Sequence, residues 1–119
     1  MIMKNKSNIS LATEIIKTEI IALTRTLNRI DASFDRACEL IKKNSGKVVT
    51  IGLGKSGYIA MKMAATLSST GTPSIFIHAT EALHGDMGVI NSNDVIIFYS
   101  NSGDTEEIVK LVPLLKVLK

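Results

Sequence analysis

The sequence predicts an α/β fold, a three-layer αβα sandwich around a parallel sheet, and three observations carry that prediction. Short runs rich in β-branched residues, 47–51, 74–78 and 94–99, alternate with longer stretches whose apolar residues recur at helical spacing. The last run, Asp94-Val95-Ile96-Ile97-Phe98-Tyr99, is continuously apolar after its first residue, as a strand buried on both faces of a parallel sheet must be. The first and third runs each end in a glycine- or serine-containing turn that opens a helix, the strand-turn-helix order of a doubly wound domain.

The elements follow in order. From Ser10, placed to cap it, to Leu27, residues Leu11, Ile15, Ile16, Ile20, Leu23 and Leu27 keep helical spacing. A second amphipathic helix runs from Ser33 through Phe34, Ala37, Cys38, Leu40 and Ile41 and stops at Asn44-Ser45-Gly46. Lys47-Val48-Val49-Thr50-Ile51 is the first strand, and a helix follows from Ser56 through Met61, Met63, Ala64, Ala65 and Leu67. After the breaker run 68–73, Ser74-Ile75-Phe76-Ile77-His78 is the second strand, so a crossover between parallel strands is expected. A loop or short helix over 79–89 leads to the third strand, and a last helix runs from Asp104 with Ile108, Leu111, Val112, Leu115 and Leu118 on its apolar side. Pro113 removes one backbone donor there and predicts a kink. Residues 1–46 thus read as leading helices and 47–119 as the βαβαβα part of a single domain, and with only three strands that domain is expected to be incomplete at its carboxyl end.

Composition narrows the classes. At 119 residues there is room for one domain, and 45% apolar residues with a mean hydropathy of +0.25 supply a core. Aromatic residues are 4% with no Trp, so packing falls to aliphatic side chains. The net charge of +3 comes from scattered lysines, concentrated only at Lys42-Lys43 and the termini. That is a solvated surface, mildly attractive to anionic metabolites, and not a nucleic-acid footprint. Cys38 stands alone at an apolar helical position, which excludes an internal disulfide and predicts a buried, reduced thiol. Residues 1–10, with Lys4 and Lys6, hold no apolar run of signal-peptide length, and no span sheds its charges for the ~18 residues a membrane crossing needs. Cytoplasmic residence is the expectation.

Three segments carry chemistry. Ser100-Asn101-Ser102-Gly103-Asp104-Thr105 lies where a buried strand meets a helix, so backbone N–H groups and hydroxyls converge at a helix N-terminus. Ser102 or Asp104 alone would serve as a plain cap, whereas two serines and Thr105 around a glycine read as a phosphate seat. Gly52-Leu53-Gly54-Lys55-Ser56-Gly57 satisfies neither the Walker spacing nor the dinucleotide fingerprint. It leaves either a tight turn with a solvated lysine or a turn that carries the Lys55 cation and the Ser56 hydroxyl toward the crevice at the strand ends. His78, Glu81, His84 and Asp86 cluster after the second strand; each histidine alone fits a structural hydrogen bond as well as a catalytic or metal role, and the spacing matches no standard zinc motif. Glu106 and Glu107 occupy a first helical turn, where the dipole favours negative charge; one of them is a candidate base.

Taken together, Gly52-Leu53-Gly54-Lys55-Ser56-Gly57, Ser69-Thr70-Gly71-Thr72-Pro73, Glu81-Ala82-Leu83-His84-Gly85-Asp86-Met87-Gly88 and Ser100-Asn101-Ser102-Gly103 resemble the sugar isomerase (SIS) domain of the D-arabinose 5-phosphate isomerase family, from about residue 10 to the end. Ala79-Thr80 stands where that family usually has Pro-Gly, and Tyr58 where it often has His. The resemblance implies aldose–ketose interconversion of arabinose 5-phosphate and ribulose 5-phosphate, on the route to Kdo for lipopolysaccharide or capsule. It implies catalytic roles for Lys55, Glu107 and His84. Substrate contacts are implied at Gly54, Ser56, Gly71, Thr72, His78, His84, Ser100, Asn101, Ser102 and Thr105. No cofactor is required by that chemistry, although His78 matches a zinc contact; the implied assembly is a homotetramer with shared sites. Further catalytic groups follow the last residue in that family, so a phosphosugar-binding module without catalysis, or an inactive remnant, are the competing expectations. The leading 46 residues are too short for the helix-turn-helix domain of SIS-containing transcription regulators.

Overall fold

The computed structural model describes residues 6–117, so Lys4 and Leu118, which entered the sequence reading, lie outside the described residues. The chain forms two compact units, one up to Cys38 and one from Glu39 onward. The first holds α1 (Asn8–Leu27) and the start of α2 (Ala32–Lys43). Ser7 rather than Ser10 caps α1, because Ser10 is already helical and its own N–H donates to Ser7 Oγ at 3.2 Å. Asp31 does the same for α2, accepting the Ser33 N–H at 2.8 Å. Cys38 is half-buried, not the fully buried thiol expected, since α2 sinks none of its residues completely.

The second unit carries β1 (Val48–Gly52), α3 (Gly54–Ser69), β2 (Ser74–His78), α4 (Ala79–Leu83), a 3₁₀ turn over Asp86–Val89, β3 (Val95–Tyr99) and α5 (Glu106–Val117). The strands form the expected parallel sheet in the order β2-β1-β3. Val48 stands opposite Ser74 and Val95, and Gly52 opposite His78 and Tyr99. Every residue of β1 is buried, and alternation splits them between two helical layers. Val49 and Ile51 join Ile77, Ala79, Ala82, Ile108, Leu111 and Leu115, which brings α4 and α5 onto one face.

The opposite face receives α3. Thr50, the buried polar residue of β1, donates its hydroxyl to the Ala60 carbonyl at 2.8 Å and so ties strand to helix without leaving an unpaired group. At the carboxyl end Gly52 meets Gly57; a Cβ on Gly52 would sit 2.9 Å from the Ser56 carbonyl oxygen and 3.0 Å from Gly57 Cα. Two facing glycines therefore set how closely the start of α3 approaches the sheet. α5 continues through Pro113 to Val117 as one helix.

The amino edge is clamped by one carboxylate. Asp94, whose side chain is 1% exposed, accepts the Lys47 N–H at 2.9 Å, the Asn91 N–H at 2.8 Å and the Lys47 ammonium at 2.6 Å. The ammonium also donates to the Val89 carbonyl at 2.8 Å. Burial pushes the Asp94 carboxyl up, but the hydrogen bonds from Asn91 and Lys47 and the lysine charge outweigh it and hold the group below the usual carboxylate range. The unfolded chain protonates first, so this stabilisation is complete above pH ~4 and is lost as pH falls through the lowered value. Asp94→Ala, which leaves the half-buried Lys47 ammonium and the Lys47 and Asn91 N–H groups without their acceptor, should cost about 2 kcal/mol in urea unfolding at neutral pH, and the difference from the parent protein should shrink on acidification below pH ~4.

Candidate functional site

The path of the chain places a crevice at one end of the sheet. From β1 it runs through α3 to β2, then crosses back to β3 on the other side of β1, with α3 on one face and α5 on the other. Neighbouring strands β1 and β3 thus send their following helices to opposite faces, and the space between those helices at the carboxyl ends of the strands is where doubly wound sheets bind ligands.

Two helix N-termini open on that crevice. α3 begins at Gly54, two residues earlier than the sequence indicated, because Gly54 takes φ +55 and lets the chain turn directly out of β1. Its N-cap is Leu53, which offers no side-chain cap, so the first backbone N–H groups of α3 lack a capping partner. Lys55 is exposed and in no ion pair among the described residues; Ser56 is half-buried. Gly54 and Gly57 also line a cavity of about 120 Å³ with Tyr58, Met61, Phe76 and His78. The Nδ1 atom of His78 is buried there without a hydrogen-bond partner.

The other terminus is the loop after β3. Ser100 and Thr105 share a hydrogen bond of 2.7 Å between their hydroxyls; the Gly103 N–H donates to Ser100 Oγ at 3.0 Å and the Asp104 N–H to Ser102 Oγ at 3.1 Å. Gly103 has φ +75, which turns the loop back toward α5. Asn101 and Ser102 are exposed, while Ser100 and Thr105 are half-buried. Within the first turn of α5, Glu106 is exposed and its carboxyl is drawn down by a hydrogen bond from Lys110. Glu107 is half-buried, in no ion pair among the described residues, and one turn above buried Leu111. Tyr99, opposite Gly52 at the end of β3, has its phenol pushed up by burial.

The fold brings Gly54, Ser56, His78, Ser100, Asn101, Ser102, Thr105, Lys55 and Glu107 to the carboxyl edge, and it places Gly71 and Thr72 at the opposite one. Gly71 and Thr72 precede β2 and close α3: the Thr72 N–H donates to the Leu67 carbonyl at 2.9 Å and the Gly71 N–H to that of Ser68 at 3.3 Å, with Gly71 at φ +93. This paired bonding is a helix C-cap, at the opposite edge and a strand length of about 16 Å away. They border a separate cavity with Ile41, Lys42, Asn44, Gly46 and Pro73. His84 is exposed at the C-cap of α4, one short helix after His78 closes β2. Sequence reasoning also missed Met61, Phe76 and Gly57 beside His78; helical spacing from Gly54 and strand alternation from His78 were the available signals.

Among the described residues no three His, Cys, Asp or Glu side chains converge on one point. The orphaned Nδ1 of His78 supplies a single donor, short of the three or four ligands a zinc site takes, so these residues do not by themselves fit that metal. No helix of the described residues is long and apolar enough to cross a membrane.

A family model described as SIS domain matches residues 39–119. The arabinose 5-phosphate isomerase KdsD of Pseudomonas aeruginosa is 55% identical over 97 residues, 82% of this chain and 30% of that protein. Its namesake in Francisella tularensis is 49% identical over 115 residues, 94% of this chain and 35% of that protein. The chain therefore spans about a third of the length of these curated relatives. Among solved structures, the Escherichia coli CFT073 protein c3406 in complex with arabinose 5-phosphate superposes with a TM-score of 0.90 at 44% identity, covering 98% of this chain and 62% of that one.

Gly52 tests the geometry. Gly52→Ala forces its Cβ against the Ser56 carbonyl and Gly57, which should lower stability by about 2 kcal/mol and displace the start of α3. Thermal unfolding should show the loss, and inorganic phosphate should bind more weakly by calorimetry.

Proposed function

The chain belongs to the SIS domain family, and on that premise we propose that it is the phosphosugar-binding part of an isomerase that interconverts D-arabinose 5-phosphate and D-ribulose 5-phosphate. The observation that carries this reading is that loop 100–105, Lys55 and Glu107 all follow strand ends at the same, carboxyl end of one parallel sheet. The arabinose 5-phosphate held by the similar c3406 structure supports it.

The reaction moves one proton between C1 and C2 of the sugar through an enediol, and no electron or hydride leaves the substrate. The reading therefore calls for no cofactor. The phosphoryl group lies against the loop and the positive end of α5, which fixes the far end of a short, flexible sugar. Glu107, facing the sheet side of α5, takes the proton from one carbon and returns it to the other. Lys55 and the uncapped N–H groups of α3 face the oxygen on which negative charge develops. His78 lies beside the same helix start, its side chain lining the cavity there with Gly54 and Gly57.

We assign the assembly to a homotetramer with shared sites. Such sharing would let Gly71 and Thr72 contact substrate, since in one chain they stand at the amino edge. Cytoplasmic residence and a place on the route to Kdo, for lipopolysaccharide or capsule, complete the reading.

Incubated with ribulose 5-phosphate in D₂O, the purified protein should form arabinose 5-phosphate carrying deuterium at C2, followed by proton NMR. Lys55→Ala and Glu107→Gln should each lower kcat by at least ~100-fold. Full turnover in both variants would overturn the assigned roles, and binding without deuterium uptake would leave a phosphosugar-binding module in place of an enzyme.

A further inference from the structure

One face of α1 is a seam. Ile9, Thr13, Ile16, Ile20, Leu23 and Leu27 follow one another at alternating steps of four and three residues. With 3.6 residues per turn they occupy a sector of about 80°, narrower than the face a helix lays on a domain core, and their spacing is that of a coiled-coil seam. The five aliphatic members are each between 57% and 81% exposed, and α1 buries none of its residues. Thr13 leaves no polar group open in the row, because its hydroxyl donates to the Ile9 carbonyl at 2.9 Å.

We propose that this row is an interface with the same row on a second copy of the chain, the two α1 helices packing side chain into hole along their length. The proposal rests on the assembly assigned above and names the surface that holds its copies together. Three observations select that occupant. The alternating period fits a facing helix and not a sheet, whose side chains repeat every second residue. Among the described residues no other long helix covers the row: α3 and α5 are already laid on the sheet through Thr50 and through Ile108, Leu111 and Leu115, and α2 buries none of its own residues. The area agrees as well. At roughly 100 Å² of apolar surface per aliphatic side chain, the row brings on the order of 500 Å² from each copy. Ala12 and the methylene stem of Lys17 flank it and extend that toward the ~800 Å² per partner of a stable dimer. A self-matching row also closes in a two-fold pair and leaves no open end.

Sedimentation of the purified full chain over a concentration series reads the association, and the parent should be oligomeric at micromolar concentration. Ile20→Lys and Leu23→Lys each put a charge into the row and should weaken association at least ~100-fold. Thr18→Lys, on the opposite side of α1, should leave it unchanged. Thr13→Ile, which completes the row, should tighten it by about tenfold. A misfolded chain does not gain a tighter, saturable association, so if the lysine variants fail to fold, Thr13→Ile decides, and unchanged association there overturns the proposal. If the lysine variants keep the parent's mass, or if Thr18→Lys dissociates it as they do, the row is not the interface and the proposal is wrong, with the assembly intact. A parent chain that stays monomeric throughout the series overturns both.

Discussion

The structure depends on β1 being enclosed. Its five residues are buried, both of its edges are hydrogen-bonded to parallel neighbours, and each face is covered by helix. A strand so confined has no freedom of register, because a slip of one residue would exchange Val49 and Ile51 with Thr50 and break the Thr50 bond to Ala60. Its carboxyl end is consequently a fixed point. The chain leaves that point through Gly54 and is matched across the sheet by His78 and Tyr99, so the polar groups that follow β2 and β3 inherit the same precision. The two-glycine contact at Gly52 and Gly57 lets α3 begin flush with the sheet, where its exposed N–H groups face the crevice.

Electrostatically, the two ends of the sheet are built on opposite plans. At the amino edge a carboxylate is buried and satisfied by three protein donors, an arrangement that leaves nothing for a ligand. At the carboxyl edge donors are left open: Lys55 is unpaired among the described residues, α3 has no capping side chain, and the loop before α5 presents Ser102 to solvent. Donors left open in this way are stable because water reaches them.

Much of this was legible beforehand. The three strands were found because unbroken β-branched runs have one reading when glycine and serine turns bound them, and they end where the sequence placed them to within a residue. The loop 100–105 was legible as a strand-to-helix turn because its residue types converge only if a strand precedes and a helix follows. The place of Gly71 and Thr72 was legible too: in a parallel sheet, whatever immediately precedes a strand lies at the amino edge, and Ser74 begins β2. The Asp94 clamp was not legible, since its partner Lys47 is 47 residues away and nothing local marks a lysine at the start of one strand as the mate of an aspartate before another. The bond between Ser100 and Thr105 was equally hidden, because a sequence counts hydroxyls and a structure counts free hydrogens.

The strand order has a bearing on how the chain is made. β1, α3 and β2 are adjacent in sequence and complete a βαβ unit on their own, whereas β3 joins the far edge of β1 only after a further stretch through α4 and the 3₁₀ turn. At ribosomal speeds of roughly 5–20 residues per second, that delay lasts on the order of seconds. During it the nascent chain carries an unpaired apolar edge on its central strand, a template for mispairing with any extended segment nearby. Loop 100–105 and α5 cannot shield the chain in that interval, because they follow β3 and are still inside the ribosome.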